Sequence, residues 1–494
     1  MRGSAAAAFG VAFAAAASVV PFPSHDQHTY WLHAAAAAAP ERLANDWLVA
    51  TVDPVPVFTL LVRLGVAALG DHFAMVGWAA VTIALGLALA RLAWRITGTD
   101  DRPGVAWYSV VVMLHAVGLR SALEHLAPGL GAAAGGGIAQ QTLMANMLVP
   151  ASIGVLLVVA LALLADGRHV GAGLCVGVAA LVHPTYLLPA AALTLAIGWV
   201  ERRAGHRPVG MALASALVLG AAIIAAWRLG GIATDVARAG AAVLVDERLP
   251  HHTHVAVDAV LLLQAGAVVI LLWRARATAV FPALVALTLV AVGGGLAAEL
   301  LDDPRLRLAM PWRASVVLVP VATTTLAAMV VRRLAPRIGP GTRAMMLGGA
   351  AIAAVLGLLR TVELHRRHEV APDRALVELA ARTVPPGGQL LAPPDALSVR
   401  LGARVAVYVD EKSHPLRGDE VLAWRQRLAH ARAFHAGELD GTAAHRWLRA
   451  EGITHVAIVA PKLAPRDAGL TWVAGVSGVA IYGVDGSVVH DVND

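Results

Sequence analysis

From Phe73 to Leu359 the chain repeats one pattern: a long apolar run, a short turn, another apolar run, with arginines gathered in alternate turns. A helix needs about 20 apolar residues to cross a bilayer core, and in lipid only helices and closed barrels satisfy every backbone polar group. A chain with this pattern is constrained to a bundle of membrane helices. Composition agrees: 58% of the 494 residues are hydrophobic and 15% charged, with a mean hydropathy of +0.68. An ordinary soluble globular chain is excluded.

The expected fold class is mainly α, a polytopic bundle of about 11 spans with a small C-terminal α/β domain. Spans are expected at Ala5 to Phe22, Phe73 to Trp94, Val105 to Leu123, Ala145 to Leu164, Met211 to Ala226, Val257 to Trp273, Ala279 to Leu300, Trp312 to Val331 and Met345 to Leu359. The stretch Gly171 to Trp199 supplies two more as short helices meeting at His183-Pro184, because Pro184 lacks the amide a continuous helix would use. The first run has a basic start and small residues, as a signal peptide does; with no convincing cleavage site before Pro21, a retained helix is expected. Arg91, Arg95, Arg102, Arg168, Arg202, Arg203, Arg207, Arg274, Arg276, Arg332, Arg333, Arg337 and Arg343 then fall on one side. The positive-inside rule makes that side cytoplasmic. The expected topology is a cytoplasmic N-terminus and an extracytoplasmic C-terminus, in a multi-pass protein of a bacterial inner membrane. Pro54 to Gly70 is too short to span and reads as a helix lying in the outer interface.

Two regions are polar. Ser24 to Asp53 follows the first run and forms an outer loop, so the expected domains are 1–364, a membrane domain with outer loop 24–53, and 365–494, an extracytoplasmic α/β domain. In the latter, helices are expected at about Asp373 to Thr383, Asp419 to Phe434 and Thr442 to Glu451. Strands are expected at about Gln389 to Ala392, Arg404 to Val409, Thr454 to Val459 and Val479 to Val484.

Several function classes fall away. The formal charge of +6 and pI of about 10.0 do not indicate nucleic acid. The arginines sit at helix ends and form no basic stripe with interleaved aromatics. The lone Cys175 permits no intrachain disulfide. GLGAAAGGG follows no strand and precedes no GK[ST], so it is no phosphate loop.

What remains is polar chemistry on the outer side. Asp26 stands just beyond the first span, where a carboxylate can take a proton from an acceptor hydroxyl; equally, any loop contains acids. Asp46 and Asp53 are the other candidate bases. Arg305, Arg307 and Arg313 in DDPRLRLAMPWRAS suit a lipid phosphate, which a planar guanidinium grips bidentately. The competing reading is snorkelling arginines paired with Asp302 or Asp303. His251, His252 and His254 are the densest histidine cluster. With Asp26, His25 or Glu124 they raise the question of a divalent cation such as Mg²⁺ or Mn²⁺, although their spacing matches no closed zinc pattern. His183 and Tyr186 sit at the helix break, either lining a cavity or marking a structural kink. In the C-terminal region VYVDEKSHP places Asp410, Glu411, Lys412 and His414 after a strand, an acceptor-binding edge or a solvated turn.

A first helix ending in SHDQHTYW, an acidic outer loop running into DPVPVFTLLVRLGVAALGD, the broken GLCVGVAALVHPTYLLPA hairpin and a terminal outer domain together resemble the GT-C superfamily of membrane glycosyltransferases. The resemblance implies transfer of a sugar from a polyprenyl-phosphate donor to an envelope glycan, lipid or protein, with inversion and with an acid of the first outer loop as base. That acid maps to Asp26. His25, His28, Tyr30, Glu124, His183, Tyr186, His251, His252 and the three arginines are the expected substrate contacts. Gln27 stands where many relatives carry a second acid, so the paired-acid metal site of those relatives is incomplete. Two rival readings are a lipid-carrier or sugar transporter and a non-catalytic assembly subunit. Transporters usually show inverted repeats and ionisable groups near mid-membrane, whereas here the polar groups collect on one side.

Overall fold

A computed structural model describes residues 3–24, 26–98, 104–459, 469–476 and 478–484. Arg2, His25, Arg102 and Lys462 lie outside them. The fold is mainly helical and divides into two compact units, each assembled from discontinuous segments. The first comprises Met1–Val20, Ala74–Trp227 and Leu244–Leu364; the second comprises Pro21–Phe73, Arg228–Val243 and His365–Asp494.

Apolar helices make up the first unit. His72–Ile96, Val209–Leu229, Phe281–Leu300, Pro304–Arg337 and Pro340–Glu369 are long and apolar enough to cross a membrane. Val105–His115 and Val117–Leu126 qualify as one span bent by 54°. Ser4–Ala17, Pro150–Ala165, His169–Val182 and Ala259–Ala275 are apolar but shorter. Among the described residues five or six helices therefore meet that length by composition, where about eleven spans, two of them short halves, were expected. Two of the shorter helices are bounded by local breaks: Ser18 takes a left-handed φ of 58° just past the first helix, and Val149 is extended before Pro150.

The core runs through Leu89, Leu157, Leu161, Val176, Leu193, Leu284, Val317 and Val321, all almost fully buried. At one end of this unit the arginine-rich turns converge. Arg91 and Arg95 meet Asp166 at 3.0 and 3.2 Å. The Thr97 carbonyl accepts from Arg274 at 2.8 Å and also from Arg332. One carboxylate and one carbonyl thus gather four cations that the apolar runs hold at their ends.

The second unit contains a five-stranded sheet in the order β2-β1-β3-β5-β4, with β1 Gln389–Leu391, β2 Ala406–Val407, β3 His455–Val459, β4 Leu470–Val476 and β5 Val479–Val484. β1 runs parallel to β2 and β3, and β5 runs antiparallel to β3 and β4. Helices Pro372–Thr383, Gly418–His435 and Gly441–Ala450 accompany it. Leu376, Leu390, Val399, Val407, Ala457 and Ile481 form its core. Four strands were expected; β4 is the addition. It lies at a sheet edge with mostly exposed side chains, so no buried alternating face marks it in the sequence.

Residues 21–73 are not a loose loop. They fold into helices Gln27–Tyr30, Leu32–Ala38, Pro40–Leu43, Trp47–Ala50 and Pro56–Leu69 stitched to the C-terminal segment. The Arg42 guanidinium donates to the carbonyls of Ala381 and Arg404, Gln389 donates to the Asn45 carbonyl at 3.0 Å, and the Val52 amide donates to Glu420 at 3.0 Å. Burial pushes the Glu420 carboxyl up, opposed by that amide bond and by Arg417. Residues 24–53 thus pack with 365–494, a grouping different from the expected division at 364/365.

Candidate functional site

In the first unit several breaks in helical backbone meet. The chain leaves helix His169–Val182 in an extended residue, His183, and turns through a 3-10 segment, Pro184–Tyr186, before helix Leu187–Arg203. Pro184 starts the turn, where a missing amide costs nothing, and the His183 ring accepts from the Thr185 amide at 3.3 Å. The Tyr186 hydroxyl donates to the Ala151 carbonyl at 2.6 Å, which pins a fully buried ring. A second 3-10 segment, Pro311–Ala314, follows Met310, a residue with left-handed φ of 49°. Ala139 and Gln140 are left-handed as well, both at 54°, and π-helical turns occupy Leu244–Arg248 and Val290–Gly294. Strain of this kind persists where surrounding contacts enforce it, and it gathers at functional sites.

These turns bring four of the expected residues together. Trp312 donates its indole N–H to the His252 carbonyl at 2.9 Å, and the buried Gln141 amide donates to the same oxygen at 3.3 Å. The His252 Nδ1 meets the Ala139 carbonyl at 3.2 Å. The Ile138 amide donates to Ser315 Oγ at 2.8 Å. Arg313 lies with its guanidinium carbon 5.5 Å from the centre of the Tyr186 ring, and the His183 ring stands edge-on to Tyr186 at 5.8 Å. Two glycines permit this closeness. A Cβ on Gly154 would come within 2.2 Å of the Tyr186 ring, and one on Gly294 within 2.6 Å of Pro311.

Arg313 is the exceptional group. It is 8% exposed, its Nε has no hydrogen-bond partner, and no carboxylate pairs with it among the described residues. A cation buried among apolar helices costs several kcal/mol unless it is paired, and as a rule marks a site that receives an anion. The tyrosine face beneath it returns part of that cost as a cation–π contact. Arg305 and Arg307 differ: Arg305 is held by Asp303 at 2.7 Å, and Arg307 by Glu299 and Asp302, both at 3.1 Å. Of the three arginines, the snorkelling and pairing alternative describes these two, and Arg313 stands apart. Glu124 also has structural work, accepting from the amides of Gly129 and Gly131 at 2.8 and 3.2 Å and so tying down the glycine-rich loop. His251 is exposed and stacked on His252 at 4.0 Å, while His254 faces Asp246 at 3.5 Å.

The second unit holds the acids. Asp26 is half-exposed, and its Oδ1 meets the Lys412 ammonium at 2.7 Å. His28, in the helix that begins at Gln27, is buried; Tyr30 is half-buried. Asp46 is sealed in. One oxygen caps helix Trp47–Ala50 through the amides of Leu48 and Val49; the other accepts from Arg400 at 2.8 Å and from the Val407 amide at 2.9 Å. With four donors on its two oxygens and no exposed surface, Asp46 is a structural anchor, and the expectation of a catalytic Asp46 gives way to that role. Arg400 in turn grips Asp410, whose Oδ1 accepts from the amides of Lys412 at 2.9 Å and of Ser413. The turn presenting Lys412 to Asp26 is therefore fastened, through Asp410 and Arg400, to Asp46. Nearby, burial holds the His33 imidazole below its usual range, against the opposing pull of Asp53.

Sequence reasoning singled out Lys412 only as part of a strand-end loop, and it missed Arg400 altogether. One arginine among many in an arginine-rich chain gives no local sign of burial. Among the described residues no three His, Cys, Asp or Glu side chains lie close enough to share a metal ion, and an ammonium already faces Asp26.

A family described as "Domain of unknown function (DUF6798)" matches residues 371–431. No curated protein matches the chain. Among solved structures, the crystal structure of ArnT from Cupriavidus metallidurans bound to undecaprenyl phosphate aligns over 98% of this chain and 97% of that one. The identity is 16% and the TM-score 0.44. At that identity few side chains are shared, and the roles assigned below rest on this chain's own residues.

Proposed function

We propose that this protein is an inner-membrane glycosyltransferase that takes a sugar from a polyprenyl-phosphate donor and passes it to a cell-envelope acceptor on the extracytoplasmic face. The observation that carries the proposal is Arg313, a buried guanidinium without a carboxylate partner, set in strained turns with His183, Tyr186, Trp312 and His252. A lipid phosphate supplies the missing anion, and a guanidinium can hold two of its oxygens at once. As the bond from the anomeric carbon to the phosphate oxygen breaks, the leaving phosphate takes the electron pair. A fixed cation stabilises that developing charge without reorganising.

Asp26 is assigned to the acceptor. Its carboxylate takes the hydroxyl proton as the oxygen attacks the anomeric carbon from the face opposite the phosphate, which inverts that centre. Lys412 meets that carboxylate at 2.7 Å and fixes where it stands. No step runs through a metal ion, and Mg²⁺ or Mn²⁺ has no assigned place.

The test is binding of undecaprenyl phosphate to the detergent-purified full chain. Arg313→Ala should weaken it about tenfold or more, the worth of a charge-assisted hydrogen bond or two, and Arg313→Lys should fall between. Unchanged affinity in Arg313→Ala would remove Arg313 from the donor site. Tight binding lost in Arg313→Ala, with no sugar transfer from any polyprenyl-linked donor, would indicate a carrier or assembly protein.

A further inference from the structure

Helix Pro56–Leu69 looks two ways. Leu60, Leu61, Leu64 and Leu69 are exposed, Leu64 at 63%, whereas Phe58, Thr59 and Val62 are buried. A short helix with this division is suited to lie at the boundary between lipid headgroups and chains. Its other side forms one wall of a cavity of about 500 Å³ within the second unit, inside the range of about 300–1,000 Å³ typical of small-molecule sites. Trp31, Val62, Val66 and the alanines of helix Leu32–Ala38 make the wall apolar.

Charged side chains share the lining of the cavity. Arg63, Arg374 and Arg404 line it, together with Asp71 and Asp373. Arg374 meets Glu378 at 2.9 Å, and Arg404 meets Asp71 at 3.9 Å. Arg63 makes no ion pair or hydrogen bond among the described residues. A cavity lined by apolar side chains and by three guanidiniums, one of them uncommitted, suits a molecule with a hydrocarbon chain and an acidic head. Free phosphate would leave the Trp31 and Val66 wall unused, and a neutral lipid would leave Arg63 without its anion. Asp71 and Asp373, in the same lining, can receive the amine of a zwitterionic head.

We propose that this cavity binds a phosphate-headed lipid of the bilayer, its chain along Trp31, Val62 and Val66 and its phosphate on Arg63, with Arg374 and Arg404 beside it. None of the residues named in this lining is assigned to sugar transfer, and the proposal does not depend on that reaction.

The experiment is photolabelling of the purified full chain with dodecyl phosphate carrying a diazirine in its chain, with labelled peptides mapped by mass spectrometry. Label is expected on Trp31–Ala38 and Val62–Ala67, displaced by phosphatidylglycerol or phosphatidylethanolamine and not by inorganic phosphate. In Arg63→Ala/Arg374→Ala the half-saturating concentration should rise about tenfold, as loss of charge-assisted bonds requires. Val66→Trp, which fills the cavity, should abolish labelling, and Arg313→Ala should leave it unchanged. Equal labelling by the matching dodecanol probe would reduce the site to an apolar groove. Competition by inorganic phosphate would make it a simple anion site, and loss of label in Arg313→Ala would assign the label to the donor site; each result overturns the proposal.

Discussion

Asp26 and Asp46 come from one polar stretch, and both are acids that position alone would offer as a base, yet their surroundings give them opposite work. Asp46 is fully buried with four donors, whereas the Asp26 side chain is 47% exposed and meets the Lys412 ammonium. Removing one partner of a buried ion pair leaves an uncompensated charge and costs about 3–5 kcal/mol. Asp46→Ala and Arg400→Met should each lower the free energy of unfolding by that order, read by thermal or denaturant melting. Asp26→Asn should change stability by about 1 kcal/mol or less, because its pair is open to solvent. If Asp46→Ala melts like the parent chain, the anchor role is wrong. The candidates themselves were legible in the sequence. What separates them was not, because the decisive partner, Arg400, is 354 residues from Asp46 and is brought to it only by the sheet.

Helix breaks were legible where proline writes them, and the one at His183-Pro184 is where the sequence puts it. Arg313 could be picked out as a cation intruding on an apolar run. Its isolation could not, since that depends on Arg305 and Arg307 having claimed the nearby acids. The close approach of helix to ring at Gly154 was equally invisible, because nothing local tells a packing glycine from a spacer. It is nevertheless testable. Gly154→Ala forces a methyl to within 2.2 Å of the Tyr186 ring, so the ring beneath Arg313 must move. Overpacking of this kind costs about 1–3 kcal/mol, and affinity for undecaprenyl phosphate should drop about two- to tenfold if half of that cost falls on the bound state. Gly266→Ala is the control, since its Cβ would meet nothing within 4 Å. Equal affinities for the two variants would detach Tyr186 from the site.

Across the whole molecule, local patterns were readable and long-range joins were not. Apolar runs mark the helical first unit, and the change of composition after Leu359 marks most of the sheet. That residues 21–73 and 228–243 share a unit with 365–494 leaves no periodic trace, because the joins are single hydrogen bonds such as Arg42 to Ala381 and Val52 to Glu420 and the close approach of Gly240 to Gly418. The family match at 371–431 falls within that second unit. The central claim concerns the molecule as an enzyme, and the direct measurement is release of free polyprenyl phosphate by the purified full chain from a panel of polyprenyl-phosphate sugars with an acceptor extract. Release is expected from at least one donor. It should persist in EDTA and fall by at least about a hundredfold in Asp26→Asn, the contribution typical of a positioned base, with the melting curve unchanged. Release undiminished in Asp26→Asn would contradict the assignment of the base, and no release from any donor would contradict the enzyme.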